Sequence, residues 1–385
     1  MPPTRPIARL ADLTDADACP RLVVKVGSAL LVGADGEPRR AWLASLVGEI
    51  AAARARGQQV IVVSSGAIAL GAVRLGLGKR GRGSLADAQA AASVGQIALA
   101  GLWAELLGLH GITAAQLLLT LDDLEDRRRY LNATATLGRL LVAGAVPVVN
   151  ENDSVATHEI RFGDNDRLAA RVAQAAGASG VLLLSDVDGL YDRNPARPDA
   201  QLLRLVRGVT AEVHAMSDGT SASGLGSGGM TSKLQAAEIA ERAGIALAIV
   251  NGSHDAPIAR ALREGTGTLF LPKDVRGRAD AARKAWLGGR LRLKGALTVD
   301  SGAARALLAG SSLLAAGIVA VEGRFARGDA VAVRDGAGNL LAQGLAEYDA
   351  GECATLMGRH SREHEALLGY APRSAVIHRD QLVVL

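Results

Sequence analysis

Aromatic side chains are scarce in this chain: three Phe, four Tyr and three Trp among 385 residues. Its core must therefore be aliphatic, and a stacking platform for single-stranded nucleic acid lacks its main ingredient. Cysteine is nearly missing as well. Cys19 and Cys353 are the only two, far apart and without metal-ligand spacing, which fits a reducing, cytoplasmic setting and excludes a disulfide framework. No uninterrupted apolar run reaches transmembrane length, and residues 1–20 include acidic positions without a long apolar stretch. This argues against a signal peptide and for a soluble protein with no membrane partner. The seven histidines are scattered. No Ser, Cys or Asp pairs with them in a triad pattern, and His158, the one near a polar cluster, reads as structural. No histidine cluster or calcium-loop pattern marks a dedicated metal site.

Charge of one sign is also lacking over most of the chain. Residues 1–272 carry 27 basic and 27 acidic side chains, and 290–385 carry eleven and ten. The excess sits in 273–289, with five basic and two acidic residues, and reads as a solvated connector rather than a nucleic-acid patch.

What is abundant is glycine, 46 residues placed mostly between short hydrophobic runs. The runs Leu22–Val26, Val60–Ser64, Ile112–Leu119, Val146–Val149, Val181–Leu184, Ala246–Val250 and Thr268–Leu271 are mostly apolar throughout, as strands buried on both faces are. Helical patterns at about 39–56, 84–108, 122–143, 166–176, 230–243 and 256–264 alternate with them. The pattern predicts an α/β fold, a three-layer α/β/α domain with a mainly parallel sheet. After the connector, short β runs with Gly-Asp and Asp-Gly turns, and one helix at 302–309, predict a small β-rich domain. The domain reading is an N-terminal extension over 1–20, a first domain over 21–274, a connector at 275–289 and a second domain over 290–385.

Ligands of such sheets gather beyond the carboxyl ends of the strands, where polar clusters stand here. Lys25-Val-Gly27-Ser28 ends the first run; it is either a phosphate-facing lysine or a surface lysine at a strand end. Ser223-Gly-Leu-Gly-Ser-Gly-Gly-Met-Thr-Ser-Lys233 leads into a helical pattern, so its amides and the helix dipole suit phosphate, although a flexible linker has the same composition. It is neither a Rossmann fingerprint, since no strand precedes it, nor a Walker A loop, since no glycine precedes Lys233. Asn150-Glu-Asn-Asp-Ser154 and Gly163-Asp-Asn-Asp-Arg167 are rich in carboxylates and carboxamides. They could bind an ammonium group or order cationic side chains, while Asp164 or Asn165 could equally cap a helix starting near Asp166. The acidic run Asp122–Asp126 before Arg127–Arg129 reads as a helix start.

Taken together and in order, Val23-Val-Lys-Val-Gly27, Val63-Ser-Ser-Gly-Ala-Ile68, Pro147-Val-Val-Asn-Glu-Asn-Asp-Ser-Val155, Gly163-Asp-Asn-Asp166, Leu184-Ser-Asp186 and the 223–233 segment resemble the amino-acid kinase superfamily. Within it they resemble the members that phosphorylate glutamate for proline biosynthesis. Thr298–Gly302, Gly310–Leu314, Gly317-Ile318 and Gly323–Asp329 resemble the PUA domain many bacterial members carry. The resemblance implies ATP as co-substrate, Mg2+, and transfer of a phosphoryl group to the γ-carboxylate of L-glutamate. It implies that Lys25 and Lys233 contact phosphates and that Asp166 holds both lysines. Ser65, Asn150, Asp153 and Asn165 would bind glutamate. Lys25, Ser185, Asp186, Ser227, Gly228, Gly229, Met230, Thr231, Ser232 and Lys233 would bind the nucleotide. It also implies a homo-oligomer, feedback by proline and a glutamyl-phosphate reductase partner. Ser185 and Ser64 stand where threonine is frequent, which keeps the hydroxyl. The competing readings are another small-molecule kinase of the superfamily, acting on acetylglutamate or uridylate, and RNA binding through the PUA-like segment. The near-neutral charge of 290–385 weighs against the second.

Overall fold

The computed structural model describes residues 3–33, 35–78, 81–155, 164–217, 229–273, 293–370 and 373–384, with the main chain alone at Asp164 and Asp380. The connector 275–289, the glycine loop 223–228, His158 and Gly163 lie outside the described residues. Two compact units divide the chain, Met1–Val275 and Arg276–Leu385.

The first unit is built on eight strands: β1 (Arg21–Val26), β2 (Gln59–Ser64), β3 (Ala114–Leu119), β4 (Val146–Glu151), β5 (Gly180–Ser185), β6 (Leu205–Arg207), β7 (Ala246–Asn251) and β8 (Thr268–Leu271). They lie in the order β3-β4-β2-β1-β5-β7-β8-β6, parallel throughout except where β7 meets β8. The three-residue β6 had no signature in the sequence, being too short to show a period. Between the strands run the helices α1 (Ser28–Leu31), α2 (Arg40–Ala55), α3 (Ala67–Arg74), α4 (Leu85–Gly108), α5 (Leu121–Glu125), α6 (Arg127–Val142), α7 (Asp164–Ala176), α8 (Ala211–Ala215), α9 (Met230–Arg242) and α10 (Pro257–Glu264). The single helix expected over 122–143 is two, because Asp126 takes an extended conformation and caps α6 by accepting the Arg129 N–H. Likewise α7 already begins at Asp164, so Asn165 and Asp166 belong to its first turn rather than capping it.

Strand alternation decides which side chains meet which helices. Leu22, Val24 and Val26 of β1 enter one core with Trp42, Leu46 and Ile50 of α2 and Leu99, Trp103 and Leu107 of α4. Val23 faces the other core, with Leu168 and Val172 of α7 and Leu234 and Ala237 of α9. Lys25, two residues on from Val23, shares that second face. Chain leaves β1 toward β2 on one side and β5 toward β7 on the other, so the carboxyl ends of β1 and β5 form a topological switch point, the usual ligand position in such sheets.

By length and composition α4 could cross a membrane. In the fold its apolar side packs in the first core, and it meets α3 main chain to main chain. A Cβ on Gly95 would lie 1.8 Å from the Ala67 carbonyl oxygen, and one on Gly71 1.8 Å from that of Ala91. Gly95→Ala is therefore expected to destabilise the chain by about 3 kcal/mol, the upper range for overpacking. Gly101→Ala, on the same helix but facing open space, should stabilise slightly, since alanine is the better helix former. Urea unfolding of the two variants checks both signs.

The N-terminal segment packs within the first unit. Gln58 Nε2 donates to the carbonyls of Leu13 (2.8 Å) and Cys19 (2.6 Å). Asp12, buried, accepts the N–H groups of Ala8 and Arg9 and pairs with Arg5 and Arg9. Burial alone would raise its pKa, but these four partners outweigh it and bring the carboxyl from 3.8 down to about 2. The stability it adds is complete above pH 3.8 and is lost as pH falls toward about 2. Asp12→Asn should thus be less stable than the parent at neutral pH, with the gap closing across that acid window in denaturant titrations.

The second unit holds a five-stranded sheet in the order Ile318–Gly323, Gly295–Val299, Ala330–Arg334, Leu340–Leu345, Leu382–Val384, and a two-stranded pair, Leu313–Leu314 with Ala375–Ile377. Leu297, Val299, Leu307, Val331, Val333 and Ile377 centre its core. Beside the helix Ser301–Leu308 stand two more, Ala350–Leu356 and His364–Leu368, where one helix was expected. The first of these starts at a capping box, Asp349 with Glu352, which the sequence reading passed over.

Candidate active site

Three charged side chains meet at the switch point. The Lys25 ammonium lies 2.6 Å from Asp166 Oδ1 and the Lys233 ammonium 3.3 Å from Asp166 Oδ2. Asp166 has no exposed surface, and both lysines are buried. The arrangement follows from the alternation above: Lys25 leaves β1 on the face covered by α7 and α9, where Asp166 occupies the first turn of α7 and Lys233 the first turn of α9. Both helix starts add positive potential to the same spot.

Burial pulls the Lys25 pKa below its ordinary 10.5; Asp166 opposes this and the nearby Lys233 reinforces it. Burial would raise Asp166, yet the two lysines prevail and hold it below 3.8. Within this trio two ammonium groups share one carboxylate, with Asp186 acting on Lys25 more weakly than Asp166 does. A buried site of that kind is complementary to an anion.

On one side of the cluster stand hydroxyl and amide groups. Asn165 Nδ2 donates to Ser65 Oγ at 2.9 Å and to Asn150 Oδ1 at 3.3 Å. Gly66, directly after Ser65, has φ +108°, a left-handed turn that glycine adopts freely and that swings the chain from β2 into α3. Asp153, buried, follows β4 through Asn152. Arg82 lies near it: burial lowers the pKa of this guanidinium, and the Asp153 carboxylate partly counters the effect. Asn165 Oδ1 is buried and has no hydrogen-bond partner among the described residues.

On the other side, beyond β5 and β7, Ser185 Oγ donates to Asp186 Oδ1 at 3.1 Å, and Asp186 is exposed. Gly252 N–H donates to the Ser185 carbonyl at 2.7 Å. Asp188 accepts from Asn251 Nδ2 at 2.8 Å and from the Tyr191 hydroxyl at 3.2 Å. Gly229 is the N-cap of α9, followed by Met230, Thr231 and Ser232 in its first turn. Ser227 and Gly228 lie outside the described residues. The structure thus brings together Lys25, Lys233 and Asp166, and separately Ser65, Asn150 and Asn165.

Sequence reasoning passed over Arg82 and Gln96. Gln96 sits on α4, accepting from Asn150 Nδ2 at 2.7 Å, and Ser93 one turn earlier lies 3.0 Å from Ser154, hydroxyl to hydroxyl. The readable signal was a polar stripe, Gln89, Ser93 and Gln96, along an otherwise apolar helix. Neither cysteine competes as a nucleophile, since burial pushes both thiols up to about 12.

Residues 20–251 match the model of the amino acid kinase family, and the chain belongs to that family. Residues 295–368 match the PUA domain. Among curated proteins, the chain is 74% identical to a glutamate 5-kinase of Novosphingobium aromaticivorans over 98% of its own length and 100% of that protein's. It is 59% identical to a glutamate 5-kinase of Sphingopyxis alaskensis, covering 96% of this chain and 98% of that one. A solved structure, carbamate kinase from Giardia lamblia bound to AMP-PNP, is similar at 16% identity and a TM-score of 0.47, over 66% of this chain and 98% of that one.

Proposed function

We propose that this chain transfers the γ-phosphoryl group of ATP to the γ-carboxylate of L-glutamate, giving γ-glutamyl phosphate and ADP, the entry step of proline biosynthesis in the cytoplasm. The observation that carries the reading is the pair of buried ammonium groups sharing the Asp166 carboxylate, in a chain 74% identical to a glutamate 5-kinase along nearly its whole length.

The acceptor needs no activation. A glutamate side-chain carboxylate has an ordinary pKa of about 4.3 and is ionised at neutral pH, so no general base is required. The difficulty is bringing one anion against another. Lys25 and Lys233 lower that barrier by facing the transferring group with fixed positive charge, in a site already desolvated and therefore needing little reorganisation. Asp166 bridges the two ammonium groups and fixes where each one sits. Ser65, Asn150, Asp153 and Asn165 hold glutamate: Asp153 and the open Asn165 Oδ1 suit its ammonium group, and the Ser65 hydroxyl suits a carboxylate. Ser185, Asp186 and the start of α9 from Gly229 to Lys233 take the nucleotide, together with Ser227 and Gly228 just before them in sequence.

Mg2+ would be carried largely by nucleotide phosphates and water, the common mode for this ion. When bound, it would neutralise phosphate charge. Proline shares the α-amino and α-carboxyl groups of glutamate and would compete for the same pocket. A homo-oligomer and a reductase receiving the acyl phosphate complete the reading.

The test is an assay with ATP, Mg2+ and L-glutamate in hydroxylamine, which traps an acyl phosphate as the hydroxamate. Hydroxamate formed with glutamate, and not with acetylglutamate, supports the reading. ADP release with uridylate and none with glutamate would overturn it.

A further inference from the structure

The amide side chains beside the lysine cluster have a polarity that can be deduced. The Glu151 main-chain N–H, which can only donate, lies 2.9 Å from one end of the Asn150 amide, so that end is Oδ1. The other end, Nδ2, then donates to Gln96, 2.7 Å away, and Gln96 must present Oε1. Asn150 Oδ1 also lies 3.3 Å from the Asn165 amide, which must therefore turn Nδ2 toward it and toward Ser65 Oγ at 2.9 Å. The last atom in the relay, Asn165 Oδ1, is left buried and without a partner among the described residues. A buried acceptor without a donor is unfavourable unless a ligand supplies one. Of the groups on glutamate, the carboxylates only accept; the ammonium is the donor.

We propose that Gln96 is a positioning residue of the acceptor pocket, holding the Asn150 amide and through it Asn165, so that Asn165 Oδ1 faces the substrate ammonium as an acceptor. The role rests on the reading of the chain as a glutamate kinase. Gln96 touches neither lysine nor Asp166 in the hydrogen bonds of the site, so its effect falls on acceptor binding rather than on phosphoryl transfer. The main-chain contact between Gly71 and Gly95 fixes the depth at which α4 sits, and with it the reach of Gln96, one residue on from Gly95.

The experiment compares glutamate with glutarate, a dicarboxylate of the same length that lacks the ammonium, used as a competitive inhibitor. Gln96→Met keeps the side-chain volume and removes the acceptor. It should raise the glutamate KM by about tenfold, the worth of one hydrogen bond to a charged group, while the glutarate Ki and the ATP KM stay within about twofold. Gln96→Glu retains an acceptor and should keep the preference for glutamate over glutarate; its added charge repels the carboxylates of both ligands but attracts the ammonium that only glutamate carries, so it can only add to that preference. A folded Gln96→Met enzyme with an unchanged preference, or with KM and Ki rising together, overturns the role. If Gln96→Met does not fold, Gln96→Glu decides: preference kept supports the relay, preference lost overturns it. A parent enzyme that forms no glutamyl hydroxamate would instead sink the functional reading itself, which separates the two failures.

Discussion

Replacing Lys233 with alanine is expected to lower the rate of glutamate phosphorylation by about 10²- to 10³-fold, the typical loss when one fixed donor facing developing charge is removed. The chain should stay folded, because Asp166 keeps its closer partner, Lys25, at 2.6 Å. KM for glutamate should change little, since the hydrogen bonds joining Ser65, Asn150 and Asn165 do not involve Lys233. Steady-state kinetics with both substrates varied separately checks this. A folded Lys233→Ala enzyme within a few-fold of the parent turnover would remove the lysine from the mechanism.

Asp166→Asn should do a different kind of damage. Removing the anion leaves two buried ammonium groups facing an amide, and breaking a buried charge pair in this way costs about 3–5 kcal/mol. Its pH dependence is distinctive. Lys25 already sits below 10.5 with the carboxylate present; without it the folded-state pKa drops further. Between that value and 10.5 the unfolded chain binds more protons than the folded one, so the variant should gain stability as pH rises through this range. Urea midpoints measured from neutral to alkaline pH, set against the parent, test the sign. A variant whose deficit stays constant with pH would mean that the ammonium groups do not feel the lost charge.

The inner strands of the sheet were readable because they are buried on both faces and carry mostly Val, Ile, Leu and Ala. The α3 helix was not among the expected helices, since it is short and glycines stand at its start and within it; the fold uses Gly66 for a left-handed turn and Gly71 for contact with α4. In the site, Lys25, Asp166 and Lys233 each stood in a legible motif. Their meeting on one carboxylate was legible only through resemblance, because no local pattern says that the residue two after Val23 lies under the starts of both α7 and α9. Gln96 stood only in a polar stripe with Gln89 and Ser93. That stripe acquires its significance once Asn150 is seen 2.7 Å from Gln96.

The lysine–aspartate cluster has a consequence for the enzyme at rest. With two ammonium groups sharing the Asp166 carboxylate, the cluster suits further negative charge, and a small anion from solution competes with the nucleotide for it. Chloride or sulfate in a buffer then acts as a weak rival for the phosphate seat rather than as a general screening salt. The identity of the buffer anion, beyond its ionic strength, becomes part of the apparent affinity for ATP.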